Sequence, residues 1–529
     1  MRIPIHELLR QHAKETPNKK AIVYYGNAIT YKELDLYSDR FAAFLQNKGI
    51  EKGDRVALFL QNSPQYIIAH FGIQKIGAIV GPCNPMFKEW ELEYQLNDLT
   101  AKAIVLANDL YPIYEKIKHS TSVREVFLTS YFDFLPDELH IPFPEKVEPF
   151  VKIESCWSFK SIVHNDSLHT PQKVDINMEE DVSLVVYTSG TTGAPKGAML
   201  TFNNASFKTE CLVKTYDFSP DDVHLSIMPI FHIAGMLVGL NGPIMTGGTI
   251  ILLTRFAPNA ALSAINHYEV TVAYTTPPMN VEMMKHPLCK VTQFEHLRAN
   301  LATSFGLPVT EEISNQWKEV SGVELFEFAY GMSETHTGDA LMPKDRIRFG
   351  TVGMPTYETQ IKIVSLENQN IELPQGELGE IAIKSPSVFK GYLDKPEETN
   401  KDLQDGWFYT GDMGKFDQDG YLHFTGRAKE MIKCSGYSVF PEEVEKMLIR
   451  HDAISKAAVI GVPDHKRGES VKAFVVLDEE YKNKITPEDI ISWSKEKMAA
   501  YKYPRYVELV DSLPQTTSGK LLRRLLKTQ

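Results

Sequence analysis

The sequence predicts an α/β protein: a large N-terminal domain of α/β layers that ends in a small antiparallel β region, followed by a smaller α+β domain. Three observations lead there. Short apolar runs alternate with helical segments through the first ~350 residues, the pattern of parallel sheets covered on both faces. From about Gly350 the texture changes, and "TYETQIKIVS", "GELGEIAIKS", "WFYTGDMGKF" and "YLHFTG" alternate apolar with polar, as antiparallel hairpins do. Beyond "GRAKEMIK" the last block has strands and a helix of its own, and 529 residues exceed the ~250–300 at which one core stops growing.

The N-terminal "IHELLRQHAKE" reads as a short amphipathic helix, because Glu7 and Arg10 interrupt what would otherwise be a signal-peptide core. Thr30 with Glu33 three residues on forms a capping box for a helix that Gly49 stops. "DRVALFL" follows as a buried strand, then a helix opened by Ser63 and Pro64, then the strand "AIVGPCNP". "AKAIVLAND", "VREVFLTS", "VSLVVYTSG", "GTIILLT" and "VTVAYTTPP" continue the strand series. In the last block "AAVIGVP" and "AFVVLDEE" read as strands, and Thr486 with Pro487 opens a helix. A domain boundary is expected at Arg427 to Lys429, separating residues 1–426 from 430–529.

Composition excludes several functions. A net charge of −12 disfavours nucleic acid as a partner. Five scattered cysteines without a C-x-x-C pair suggest neither a disulfide framework nor a zinc site. The most apolar run is broken by His70, Gln74 and Lys75, so no membrane-spanning segment is predicted, and a cytoplasmic location is expected. No basic amphipathic segment compels membrane contact, although transient contact would suit a lipid substrate, and oligomeric state is not legible.

The chemistry concentrates in "YTSGTTGAPKGAML", Tyr187 to Leu200. A strand, "VSLVVY", leads into it and "LTFNNASFKTECLV" leaves it as a helix, which puts the loop at the C-terminal end of a sheet strand, where open α/β sheets bind ligands. Thr188, Ser189, Thr191 and Thr192 supply hydroxyls, Gly190, Gly193 and Gly197 let the backbone approach a ligand, and Lys196 adds a movable positive charge. A polyphosphate needs that many donors at once. The segment is not a Walker A loop, because Gly197 stands where Ser or Thr should follow the lysine.

This segment resembles the signature phosphate loop of the adenylate-forming superfamily, which holds acyl-CoA synthetases, nonribosomal peptide adenylation domains and luciferases. The resemblance continues in order through "YGMSET", "GELGEI" with "GYLDKPEET", "WFYTGD", "GRAKEMIKCSGYSVFPEEVE" and "PQTTSGKLLRR". It implies a large AMP-binding domain with a small β-barrel subdomain and a mobile C-terminal domain. It also implies ATP, magnesium and CoA as cofactor and co-substrates, and a small-molecule carboxylic acid as substrate.

By the same resemblance Glu334 contacts magnesium, Ser333 bonds phosphate, Tyr330 stacks on adenine in a pocket lined by Phe328 and Ala329, Asp412 takes the ribose diol, and Arg427 reaches the ribose or phosphate. Lys520 bridges carboxylate and α-phosphate, Lys429 is the hinge, and Gly436 leaves room for the pantetheine arm once the C-terminal domain has turned. His232 in "PIFHIAGM" stands beside the substrate carboxylate, and Cys434 is read as packed rather than reactive. Around His232 no acidic residue waits for a substrate ammonium, and Ala234, Gly235, Met236 and Gly239 are small or pliable, which suits an alkyl chain. Phe305, in "ATSFGLPV", replaces a glycine usual in relatives and leaves chain length open, with an aromatic acid as an alternative. Arg523, Arg524 and Lys527 are read as the solvated face of a terminal helix.

The expected activity is an AMP-forming acyl-CoA ligase for a medium- or long-chain fatty acid, with free CoA as acceptor because no carrier-protein motif follows Gln529. A stand-alone adenylation enzyme charging a carrier protein, and a catalytically silent nucleotide-binding protein, are the alternatives.

Overall fold

Thr30 caps the helix Tyr31–Asn47 through a reciprocal box in which its hydroxyl accepts from the Glu33 amide and the Glu33 carboxylate accepts from the Thr30 amide. The computed structural model describes residues 2–144, 153–188, 195–305, 307–434, 437–464, 467–498, 500–515 and 521–527. Ser63 and Pro64 open the helix Pro64–Lys75 as the sequence predicts. Every residue of that helix is buried, including the polar ones that interrupt the apolar run. Lys75 tolerates burial because its ammonium is paired with Asp35 at 2.5 Å and Asp39 at 2.7 Å, so the desolvation cost is met by charge-assisted bonds. No described helix is long and apolar enough to cross a membrane.

Among the described residues the chain up to Arg427 forms two large sheets and two smaller antiparallel ones. The eight-stranded sheet runs in the order Gly391–Tyr392, Lys196–Thr201, Val182–Thr188, Ile79–Pro82, Arg55–Phe59, Ala103–Ala107, Glu125–Thr129, Trp157–Ser158, with a parallel centre. The seven-stranded sheet is built around Val223–Ser226, which pairs in parallel with Thr249–Leu252 and Val272–Thr275. One continuous apolar core packs against both. Residues 360–427 give a five-stranded antiparallel sheet, and Ala329–Tyr330, Ala340–Leu341 and Met354–Pro355 a three-stranded one. Beyond these, Ile454–Asp464 and Gly468–Leu477 make a long hairpin with a separate core that buries Cys434, Val444 and Ile490.

The predicted strand–loop–helix passage around Lys196 is corrected. Lys196–Thr201 is itself a strand, paired antiparallel to Val182–Thr188 with Thr188 opposite Lys196, and the helix starts only at Phe202. The Gly/Thr segment therefore joins two antiparallel neighbours. Gly197 serves this pairing rather than a ligand: a Cβ there would lie 2.8 Å from a Val185 methyl and 3.2 Å from the Tyr187 ring. The loop reading missed this strand because its burial, with Gly197, Ala198, Leu200 and Thr201 all inside, does not alternate; the helix expected after it forms as Phe202–Tyr216.

Arg523 is a second correction. It is not a solvated charge: it is largely buried, with Glu430 at 2.5 Å, Glu442 at 2.9 Å and Glu445 at 2.7 Å. Three acids converging from the hinge segment and the helix Pro441–Leu448 drew it inward, and no local pattern announces that. Lys527 is exposed as expected, while the Arg524 side chain lies outside the description.

Candidate active site

Glu334 sits on a short turn, Ser333–Thr335, that the chain builds at some conformational cost. His336 and Thr337 both adopt left-handed backbone, with φ of 59° and 56°. The turn is held by a fully buried ion pair, Lys208 to Asp339 at 2.9 Å, and by the Thr335 hydroxyl donating to the Asp339 carboxylate. The Glu334 carboxylate is 9% exposed and accepts from the Tyr392 hydroxyl at 3.0 Å. Burial raises its pKa above the ordinary glutamate value, only partly offset by that bond and by the charges of Arg427 and Lys196. A buried acid so placed, with one neutral donor, fits a hard cation that completes its shell with water and phosphate oxygens.

Lys196, at the first position of its strand, places its ammonium 3.3 Å from Asp402 and 3.8 Å from the centroid of the Tyr392 ring. The base of the loop is framed by the Tyr94 hydroxyl donating to the Pro195 carbonyl at 2.7 Å, and by Tyr187 donating to Asp98, which is also paired with Lys395. Thr188 ends the preceding strand with its hydroxyl 3.4 Å from the Lys196 carbonyl oxygen. Ser189, Gly190, Thr191, Thr192 and Gly193 lie outside the described residues, as do Gly436 and Lys520.

On the other side of Glu334, Tyr330 donates its hydroxyl to Asp412 at 2.9 Å, and Arg427 approaches the second Asp412 oxygen at 3.0 Å. Asp412 and Arg427 are direct cross-strand partners, so the backbone ladder itself brings them together. Asp412 and then Tyr330 and Glu334 hold the Arg427 guanidinium above its usual pKa despite burial. Phe328 is buried against Tyr274, with ring centroids 5.0 Å apart, while Ala329 and Ser333 are half-buried at the rim of the same cleft. Lys196, Glu334, Tyr330, Asp412 and Arg427 thus form one polar cluster, although they are spread over more than two hundred residues of sequence.

His232 precedes a fully buried helical segment, Ile233–Met236, that continues through one wider π turn at Leu237–Asn241. Its ring meets Phe305 edge-on at 6.3 Å. Gly235 and Gly239 let this segment pack: a Cβ would lie 2.1 Å from the Pro229 carbonyl oxygen and 2.5 Å from the Ser226 hydroxyl. The turn carrying Phe305 is clamped by Glu327, which accepts from the Ser304 amide at 2.9 Å and from its hydroxyl, and whose carboxyl is pushed up to about 7 by burial. Lys429 is exposed on a single turn, Ala428–Glu430, between the Asp412 ladder and the strand Ile432–Cys434.

Tyr392, Asp402 and Glu327 were not singled out by motif reading. Tyr392 falls within "GYLDKPEET", so its position was visible but its role was not; Asp402 and Glu327 carry no local signal at all.

Comparison with known proteins places this geometry. The chain matches the AMP-binding enzyme family over residues 9–393 and the AMP-binding enzyme C-terminal domain over residues 443–520. It is 37% identical over 533 residues to a long-chain-fatty-acid–CoA ligase of Bacillus subtilis, covering 99% of this chain and 94% of that one. A feruloyl-CoA synthase of Amycolatopsis is 31% identical over 515 residues, covering 97% of this chain and 96% of that protein. Among solved structures, ATP-bound MatB from Rhodopseudomonas palustris is similar with a TM-score of 0.86 at 28% identity, over 99% of both chains. Family models over residues 9–393 and 443–520, with a relative 37% identical across 99% of this chain, leave a single assignment: the chain belongs to the AMP-binding enzyme family.

Proposed function

We propose that this protein is an ATP-dependent, AMP-forming acyl-CoA ligase that activates a medium- or long-chain fatty acid. The observation that carries the reading is the polar cluster in which Tyr392 joins Lys196 to Glu334 and the charge of Arg427 links Glu334 to Asp412, a set of groups suited to phosphate at one end and a ribose diol at the other. The fatty-acid substrate is supported by the Bacillus subtilis relative and by the uncharged surroundings of His232.

A carboxylate is a poor acyl donor until it carries a leaving group. In the first half-reaction a substrate carboxylate oxygen attacks the α-phosphorus of ATP, the bond to the bridging oxygen breaks, and pyrophosphate leaves with acyl-AMP remaining. Lys196 offsets charge on the departing phosphates, and Asp412 receives the ribose hydroxyls while Arg427 and Tyr330 hold it in place. Magnesium, bound when ATP binds, would be held by Glu334 and neutralises phosphate charge. Lys520 reaches the α-phosphate and the substrate carboxylate. In the second half-reaction the CoA sulfur attacks the acyl carbonyl, its proton departs, and AMP leaves. Residues 1–426 form the nucleotide-binding domain and 430–529 a cap that turns about residues 427–429, exchanging Lys520 for the face that carries Gly436. The protein works in the cytoplasm, a reading supported by five free cysteines and no described membrane-spanning helix.

A second reading, an aromatic acid in place of an alkyl chain, is favoured by Phe305 against His232 and by the feruloyl-CoA synthase relative. Pyrophosphate release across a panel of alkyl and aryl acids, with and without CoA, tests both. Release with CoA consumed supports the ligase. Release without CoA consumption points to a carrier protein as acceptor, and no release with any acid overturns the proposal.

A further inference from the structure

Asp402 ends the helix Pro396–Asp402 and occupies a position that neither the motif comparison nor the functional reading uses. Its Oδ2 lies 3.3 Å from the Lys196 ammonium and 3.3 Å from the Tyr392 hydroxyl. The same hydroxyl is 3.0 Å from Glu334, and the Lys196 ammonium lies 3.8 Å from the centroid of the Tyr392 ring. We infer that Asp402 is a positioning residue for Lys196: it parks the ammonium over Tyr392 in the nucleotide-free site and competes with the phosphates of ATP for it. The inference rests on the reading of ATP as substrate.

The physical case follows from donor counts and exposure. A lysine ammonium has three donors on a flexible stem. One is directed at Asp402 and the ring face takes the underside of the charge, which confines the stem to one side of the cleft without saturating the head. Lys196 and Asp402 are 24% and 28% exposed, so their contact belongs with partly screened pairs that are weak enough for a polyphosphate to displace. Tyr392 adds a second constraint. One hydroxyl proton serves one acceptor at a time, so Glu334 and Asp402 share it, and the hold of Asp402 on Lys196 strengthens when the hydroxyl turns to Glu334. Burial, and then the charges of Glu334 and Asp402, keep the Tyr392 phenol far above its ordinary pKa, so it stays a donor at every working pH.

Titration calorimetry with ATP and magnesium chloride, without acid or CoA, tests this on the intact protein. Asp402→Asn, near-isosteric, removes the competing charge and should tighten ATP binding about threefold, the scale of a partly exposed ion pair. Asp402→Glu should stay within about twofold of the starting protein, since it keeps the charge and reach. In a Lys196→Met background the gain from Asp402→Asn should disappear, because nothing remains to be released. Unchanged or weaker ATP binding in Asp402→Asn overturns the inference, and so does an equal gain with and without Lys196, which would show a diffuse charge effect. Failure of the unsubstituted protein to bind ATP would instead overturn the ligase reading.

Discussion

The two ends of the cleft are built by different means. At the ribose end Asp412 and Arg427 are partners in one antiparallel ladder, so the backbone register fixes that pair, and the Tyr330 side chain reaches Asp412 from a separate three-stranded sheet. At the phosphate end Lys196, Glu334, Tyr392 and Asp402 come from four separate elements; the strands of Lys196 and Tyr392 are backbone neighbours, but none of the four residues is paired directly with another, and their polar groups meet through side chains, with Lys196 and Asp402 partly open to solvent. A sugar diol has one shape throughout the reaction and rewards rigid receptors. A triphosphate loses two of its groups and needs partners that can follow, so the adjustable chemistry sits where the bonds change.

The sharpest way to break this contrast is to separate the two half-reactions. Lys520→Ala should abolish pyrophosphate release yet leave thioester formation from supplied acyl-AMP largely intact, and Gly436→Trp should do the reverse. Equal loss of both half-reactions in both variants would remove the turning cap from the account.

Asp412→Ala comes next. It removes the acceptor for the ribose hydroxyls and the partner of Arg427, whose side chain is 32% exposed, so the ATP KM should rise by about a hundredfold, the scale of hydrogen bonds to a charged group. A KM within about tenfold of the starting value would mean that the ribose end is as forgiving as the other. Lys196→Ala removes one charge-assisted contact made by a mobile side chain, and the pyrophosphate-release rate should fall by about ten- to a hundredfold with a smaller change at the ribose end.

The smallest effect concerns the contact between the two halves. Glu442 lies against Gly426, shares Arg523 with Glu430 and Glu445, and its carboxyl is pushed up to about 7 by burial and by the two neighbouring acids, against the pull of Arg523. An acid whose folded pKa lies above its unfolded value favours the fold while protonated. Its contribution is therefore full below about pH 4.5 and is lost as pH rises toward about 7. The melting temperature should fall by on the order of a few degrees across that window, and Glu442→Gln should flatten the slope. An identical slope in both proteins would show that other groups set it.

Much of this protein was readable from its local patterns. The capping box predicted at Thr30 and the helix start predicted at Thr486 and Pro487 act within one turn of chain, and both form, the second with a box to Asp489 that was not predicted. Of the motif residues, Lys196, Glu334, Tyr330, Asp412 and Arg427 lie in one polar cluster, while His232 stands against Phe305 and Lys429 is exposed on its turn. The strand after Lys196 was misread because a six-residue run, KGAMLT, carries no alternation of its own; pairing with Val182–Thr188 and with Gly391–Tyr392 makes it a strand.

The sequence alone determined most of the elements, the family resemblance and the identity of the polar groups, because capping, periodicity and motif spacing are short-range properties; the strand Lys196–Thr201 is an exception. Tertiary structure alone decided the partners of those groups: Asp402 beside Lys196, Arg523 among three glutamates, Glu327 on the Phe305 turn. Such contacts join residues up to 206 positions apart, and their energies depend on burial and distance, neither of which is written at any one place in the chain.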